Sequence, residues 1–255
     1  MPLNSGVFVL HMFSVFVAWR LPTFGAGKWG DMGCSWPRLS ETGLSAEAVA
    51  KRRSGVGGSD ANVILSGDPG AVLHLWRVKR GEVEPEGLDD VLPVMLGQWT
   101  EDFSRQWFQR QTGLTVEAAN TSYRHPDHEW MACSVDGLIR HPEGRLTVFE
   151  AKHCSARATA PELIARYTPQ LTHNMLVTGA DDAAMSVIYG NARWEAYSIE
   201  LDLFYAAELI EAEQEFWDCV QTGRRPIARR IPAPPQRLRL SLWSDRDAIR
   251  PACAR

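Results

Sequence analysis

Apolar residues recur along this chain with two different periods. Leu92, Met95, Leu96, Trp99, Phe103 and Trp107 fall three or four apart. That is the spacing of one helical face, so a long helix is predicted from Pro93 to a stop at Gly113, with the aromatic stripe in the core. Shorter helices are predicted over 45–53, from a cap at Ser59 or Asp60 to Gly67, and over 71–80, and a second long helix over 202–220. A helix over 161–166 is expected to end before Pro169, whose ring clashes inside a helix. Thr168 then caps a new helix running through Val177, which places Gln170 in its first turn beside free backbone amides. Runs of strand formers mark 115–117, 130–134, 138–140, 146–152, 184–189 and 193–200, and the acidic stretch over 82–90 reads as a loop. Helices, then a mixed sheet, a helix, more sheet and a closing helix is the order of an α/β fold, with a central mixed β-sheet flanked by helices on both faces.

The run Leu146-Thr147-Val148-Phe149-Glu150-Ala151-Lys152 carries the candidate chemistry. Strand side chains alternate faces, so Glu150 and Lys152 point one way and Ala151 the other. Asp136 closes the preceding strand, and Gly137 and Gly144 suit a hairpin-like return beside it. Two carboxylates and an ammonium then converge at one sheet edge. That is the minimum equipment for holding a divalent cation and orienting a water against a phosphodiester. A Glu-x-Lys pair also forms ordinary surface ion pairs. Here it ends an apolar strand, where unpaired charge is costly, and a second carboxylate lies a hairpin's length upstream.

At 255 residues and 45% apolar content the chain can bury a core as a single domain, and its net charge of −4 does not advertise nucleic-acid binding. The average conceals an asymmetry. From Arg224 to Arg255 nine Arg face only Asp245 and Asp247, a local +7 against −11 for the remainder. With Pro226, Pro232, Pro234, Pro235 and Pro251, residues 224–255 read as an extended or disordered basic tail: an arm for a polyanion, or a solvated terminus. Five scattered cysteines without a Cys-x-x-Cys spacing argue against a disulfide framework, a zinc ribbon or an iron–sulfur cluster, and fit a reducing cytoplasm. His125, His128 and Cys133 are read as loop surface rather than as a zinc site. The apolar run over 7–19 is too short to span a bilayer and has no basic residue before it, so neither a membrane segment nor a secretory signal is expected. Residues 1–44 fit no pattern and are expected to be a poorly ordered extension, or a result of where the reading frame opens, ahead of a domain over 45–223.

Several motifs occur in a fixed order: Arg52-Arg53-Ser54-Gly55-Val56-Gly57-Gly58-Ser59-Asp60, Leu75-Trp76 before a Lys79-Arg80-Gly81 stop, Leu96-Gly97-Gln98-Trp99-Thr100-Glu101, Ser134-Val135-Asp136-Gly137, Glu150-Ala151-Lys152, and Tyr167-Thr168-Pro169-Gln170 with Asn174-Met175. As an ordered set they resemble the YqaJ-like viral recombinase family, relatives of phage lambda exonuclease within the PD-(D/E)XK nuclease superfamily. The resemblance implies a restriction-endonuclease-like core. It implies Mg²⁺, with Mn²⁺ as a substitute, held by Asp136, Glu150 and the Ala151 carbonyl. Lys152 would orient or deprotonate the attacking water, Glu101 would help hold a second ion, and Gln170 would contact the nucleophile or scissile phosphate. Arg52, Arg53 and Ser59 match a pocket for a 5′-terminal phosphate, where a glycine-rich turn exposes amides at a helix start. That turn lacks the Gly-Lys-Ser/Thr ending of a nucleotide-binding loop, so ATP is not expected.

The implied activity is 5′→3′ digestion of one strand at double-stranded DNA ends. It would leave 3′ single-stranded tails for an annealing protein, in a bacterial host carrying phage or prophage. A ring-shaped homo-oligomer, a trimer in relatives, is implied by the resemblance alone. Two other readings stand beside it: a restriction-like or structure-specific endonuclease sharing Asp136, Glu150 and Lys152 but not needing Arg52 and Ser59, and a non-cleaving DNA-end binder.

Overall fold

The computed structural model describes residue 50 and residues 52–85 and 91–234. Residues 1–44, most of the helix expected over 45–53, part of the acidic loop and the tail beyond 234 lie outside the described residues. Within them the elements run α1 (Gly58–Ile64), α2 (Pro69–Lys79), α3 (Leu92–Thr112), β1 (Thr121–Arg124), β2 (Ala132–Val135), β3 (Gly137–Arg140), β4 (Leu146–Cys154), α4 (Ala160–Thr178), β5 (Asp182–Tyr189), β6 (Arg193–Glu200) and α5 (Leu203–Thr222). Local chemistry sets several boundaries. Asp68 caps α2, its Oδ1 accepting from Gly70 N and Ala71 N, and Asp202 caps α5 in the same way. Gly113, Gly179 and Gly223 end α3, α4 and α5 in the left-handed conformation that suits glycine.

The main sheet has the order β3-β4-β5-β6, with β4 and β5 parallel and the other neighbours antiparallel, while β1 and β2 pair separately. Alternation along each strand divides the core cleanly. Leu138, Val148, Met185, Val187, Tyr197 and Ile199 face the larger cluster with α1, α2, α4 and α5. Ile139, Phe149, Ala184 and Ala196 face the smaller one, where Phe108 of α3 packs on Phe149 with ring centroids 5.0 Å apart. At the strand starts, buried Asp182 accepts from Thr147 Oγ1 and Arg145 Nη1, each at 2.5 Å, and so pins the parallel register. The expected mixed sheet with helices on both faces is present.

Four expectations need correction. The stripe on α3 is not core: Leu92, Leu96, Trp99 and Phe103 are exposed, Trp99 by 64%, and the buried positions are Ser104, Phe108 and Thr112. One residue turns a helix by about 100°, so the face that meets the sheet is the neighbouring one. Pro169 does not divide two helices, because α4 runs through it and Thr168 turns its Oγ1 back to Ile164 O at 2.7 Å instead of capping. Gln170 is therefore mid-helix. The cap of α1 is Gly57, whose N–H is taken by Asp60 Oδ2 at 2.7 Å. Finally, 115–117 contributes only a bridge between Glu117 and Leu138, whereas the short strand β1 had no pattern long enough to read.

The first part of the expected basic tail runs against this core. Ile231 N donates to Leu65 O at 3.2 Å, and Arg230 bridges Ser66. No helix among the described residues is long and apolar enough to cross a membrane.

Candidate active site

Asp136 occupies the bend where the chain leaves β2 of the small sheet and enters β3 of the large one. The next residue has to be glycine, because a Cβ at Gly137 would lie 2.2 Å from Val116 Cγ1. The bend turns Asp136 toward β4, where its Oδ2 accepts from Ala151 N at 2.8 Å. In an antiparallel ladder, paired residues exchange both N–H and C=O along one edge. The Ala151 carbonyl thus shares that edge with Asp136, beyond the point where β3 starts at Gly137 opposite Phe149.

Glu150 lies one residue away on the other face of β4 and is 2% exposed. Its Oε1 accepts from Lys152 Nζ at 2.5 Å and from Gln170 Nε2 at 2.6 Å, while among the described residues Oε2 has only Asn174 Nδ2 at 3.5 Å. Lys152 shares the face of Glu150, as strand alternation requires, and lies over the Tyr167 ring at 4.7 Å. Ala151 and His153 point to the α3 side. His153 Nδ1 meets Thr100 Oγ1 at 3.2 Å, and it takes no part in the cluster.

The electrostatics are lopsided. Burial first, then the charges of Glu150 and Glu101, push the Asp136 carboxyl up to about 8. Glu101, reaching in from α3, is raised by burial and by Glu150. Burial pulls the Lys152 ammonium down, but the Glu150 carboxylate bonded to it outweighs this and holds it above the ordinary lysine value. The carboxyl groups of Asp136, Glu150 and Glu101 thus lie close enough together for their charges to interact, with Lys152 among them and Arg105 beside Glu101, and such a cluster favours a further positive charge.

The residues expected at the phosphate pocket are arranged differently. Ser59 and Arg52 are exposed, and Arg53 is tied to Glu84 at 2.9 Å. What organises the glycine turn is Lys79, which falls in the Lys-Arg-Gly stop after Leu75-Trp76, a motif that gives it no role. Its buried Nζ donates to Arg52 O at 2.6 Å and Gly55 O at 2.8 Å and pairs with Asp60 at 2.5 Å. Asn62 escapes the sequence motifs, and it grips Gln170. Asn174 falls within a motif that gives it no role. Neither asparagine announces itself by spacing, because each contact joins segments far apart in the chain. The expectation of loop surface at His125, His128 and Cys133 fails for the cysteine. Cys133 is buried in β2 with its thiol raised to about 12, while His125 accepts from the amides of Asp127 and His128. Among the described residues no group of three or more His, Cys, Asp or Glu is placed to hold a metal ion.

The fold is the restriction-endonuclease-like α/β architecture of phage-type exonucleases. An alkaline exonuclease, LHK-Exo, from Laribacter hongkongensis superposes with a TM-score of 0.57 at 18% identity, over 70% of this chain and 93% of that one. A phage-related exonuclease from Haemophilus somnus 129PT gives 0.51 at 16% identity, over 66% and 96% respectively. The YqaJ-like viral recombinase domain matches residues 49–181, and the chain belongs to that family. The uncharacterized protein YqaJ of Bacillus subtilis (strain 168) is 29% identical over 188 residues, which span 71% of this chain and 58% of that protein's length.

Proposed function

We propose that this chain is a divalent-cation-dependent exonuclease that digests double-stranded DNA from its ends in the 5′→3′ direction, leaving 3′ single-stranded tails. The observation that carries this reading is that Asp136, Glu150 and Lys152 gather around one end of β4, near enough for their charges to act on one another. Family membership and the likeness to two exonucleases agree with it.

A hard divalent cation such as Mg²⁺, or Mn²⁺ in its place, fits the donors gathered there. Asp136 Oδ1 accepts no hydrogen bond among the described residues, Glu150 Oε2 has only the long contact to Asn174, and the Ala151 carbonyl lies alongside. These three would hold the ion, with Glu101 close enough to add charge. When bound it would polarise the scissile phosphate and lower the pKa of a water. Lys152, kept as an ammonium, donates rather than accepts: it orients the attacking water and offsets charge on the phosphorus oxygens in the transition state. The water oxygen forms the new P–O bond, and the bond from phosphorus to the 3′ oxygen of the terminal nucleotide breaks. The products are a deoxynucleoside monophosphate and a shortened strand. LHK-Exo itself has been solved in complex with dAMP.

The test is end-labelled linear duplex with and without Mg²⁺, comparing the parent protein with Glu150→Gln. Release of mononucleotides from the 5′ end, only with metal and only by the parent, supports the reading. An endonuclease is the second reading, favoured by the tie of Arg53 to Glu84 and the exposure of Arg52 and Ser59, which leave the 5′-phosphate pocket open. Equal rates on 5′-phosphate and 5′-hydroxyl ends, with nicking of closed circles, would select it. Docking of the 3′ tails onto an annealing protein, a ring-shaped oligomer and action in the bacterial cytoplasm belong to the first reading.

A further inference from the structure

Asn62 of α1 uses both ends of its carboxamide on one residue. Its Oδ1 accepts the backbone N–H of Gln170 at 3.0 Å, and its Nδ2 donates to Gln170 Oε1 at 3.3 Å. A mid-helix amide is normally satisfied within its own helix. Here Pro169 comes immediately before it inside the same continuous helix, and a proline ring crowds the carbonyl four residues back. The Gln170 amide is reached from the neighbouring helix by Asn62.

The polarity of the chain that follows is not arbitrary. A backbone N–H can only donate, so Asn62 must present Oδ1 to it and its NH₂ to the Gln170 side chain. Gln170 must then present Oε1 to Asn62 and its own NH₂ to Glu150, where Nε2 lies 2.6 Å from Oε1. Lys152 donates to the same oxygen, so both strong donors gather on Glu150 Oε1 and Oε2 is left for a ligand. Without Asn62, Gln170 Oε1 loses its donor and the carboxamide is held from the Glu150 side alone.

We infer that Asn62 is a positioning residue of the reaction: through one donor-only backbone amide it fixes which way Gln170 faces, and so which oxygen of Glu150 is open. The inference rests on the nuclease reading above and adds to it a residue on the same helix as Ser59, linking the proposed end-binding turn to the cleft.

The experiment compares Asn62→Asp and Asn62→Ala, each alone and combined with Gln170→Ala. Asp keeps the acceptor for the Gln170 amide but replaces the NH₂ donor with a second acceptor, which invites Gln170 to reverse. Asn62→Ala should lower kcat on linear duplex about 10–100-fold with KM little changed. Asn62→Asp, though nearly isosteric, should lose at least as much. In the Gln170→Ala background either change should add less than about twofold, because residues acting as one unit are not additive. In metal-free protein, the Gln170 side-chain NH₂ resonances should shift in Asn62→Asp while the fold's other amides stay in place. Parent-like kcat in Asn62→Asp, or losses that multiply with Gln170→Ala, would overturn the assignment. A parent protein that cuts no DNA would instead remove the nuclease reading, and the Gln170 resonances then decide the role of Asn62 by themselves.

Discussion

The backbone N–H of Ala151 donates to Asp136 Oδ2 at 2.8 Å, although Asp136 belongs to neither of the strands it separates. This bond fastens the bend between two sheets to the edge of β4. It also fixes one oxygen of Asp136, so the other lies beside the carbonyl edge of the strand. The candidate cleft is therefore a property of where β3 begins, not of a flexible loop.

Asp136 should make metal-free protein less stable as pH rises. Its carboxyl is ionised above about pH 4 in an unfolded chain but keeps its proton to about 8 in the fold. Between those values the unfolded state binds fewer protons, so stability falls with increasing pH. In EDTA the melting temperature should drop between about pH 5 and pH 8, and Mg²⁺ should recover it. Asp136→Asn should flatten most of that decline, melt above the parent at the alkaline end, and lose cleavage. An unchanged slope in Asp136→Asn would contradict this account.

Lys152→Ala should remove hydrolysis while duplex binding survives. The ammonium touches Glu150 and the Tyr167 ring, and its proposed work is on charge that appears only in the transition state. The loss in kcat should be about 10²–10³-fold or more. Single-turnover rates alongside filter binding would separate the two effects. A Lys152→Ala protein whose defect lies wholly in KM would count against the role.

Gly58→Ala should harm the site more than its place in a helix suggests. A Cβ there would meet Asn174 Oδ1 at 2.3 Å and Gln170 Cγ at 3.3 Å. Both neighbours lie against Glu150, so the methyl group either pushes them off it or tilts α1. Overpacking of this kind costs about 1–3 kcal/mol, and cleavage should fall in the same variant. Urea melts and duplex assays measure the two consequences.

Lys79→Met should weaken the fold more than Gly58→Ala or Lys152→Ala. It leaves Asp60 without its partner and two carbonyls, Arg52 O and Gly55 O, without a donor. Breaking a buried pair from one side costs about 3–5 kcal/mol. A second change, Asp60→Asn, should restore part of that loss in denaturant titrations, since the stranded charge is then gone.

The legible part of this chain was the part governed by strict local periods. Two-residue alternation put Glu150 and Lys152 on one face with no further information, and β4, β5 and β6 were readable as strands because each is a run rich in strand formers. The α3 stripe misled because its spacing is equally good for a face that no element among the described residues covers, and helical periodicity reports a face without saying what meets it. Pro169 misled in another way. A proline inside a helix is costly in isolation, but α4 is packed along its length and Asn62 accepts from the amide that follows the proline. The clasp of Asn62 on Gln170, the Lys79 bracket on the glycine turn and the contact of Asn174 with Glu150 all depend on tertiary approach, and no local rule reaches them.

Among the described strands, β4 and β5 are the parallel neighbours, so the chain must leave the sheet, wind α4 and return before they can pair. Asp136 meets β4 through a short hairpin, whereas Gln170 meets Asn62 across 108 residues. Long-range closure is the slow part of folding. A refolding chain should regain its tryptophan fluorescence before it regains the ability to cut, with the lag set by the docking of α4 on α1.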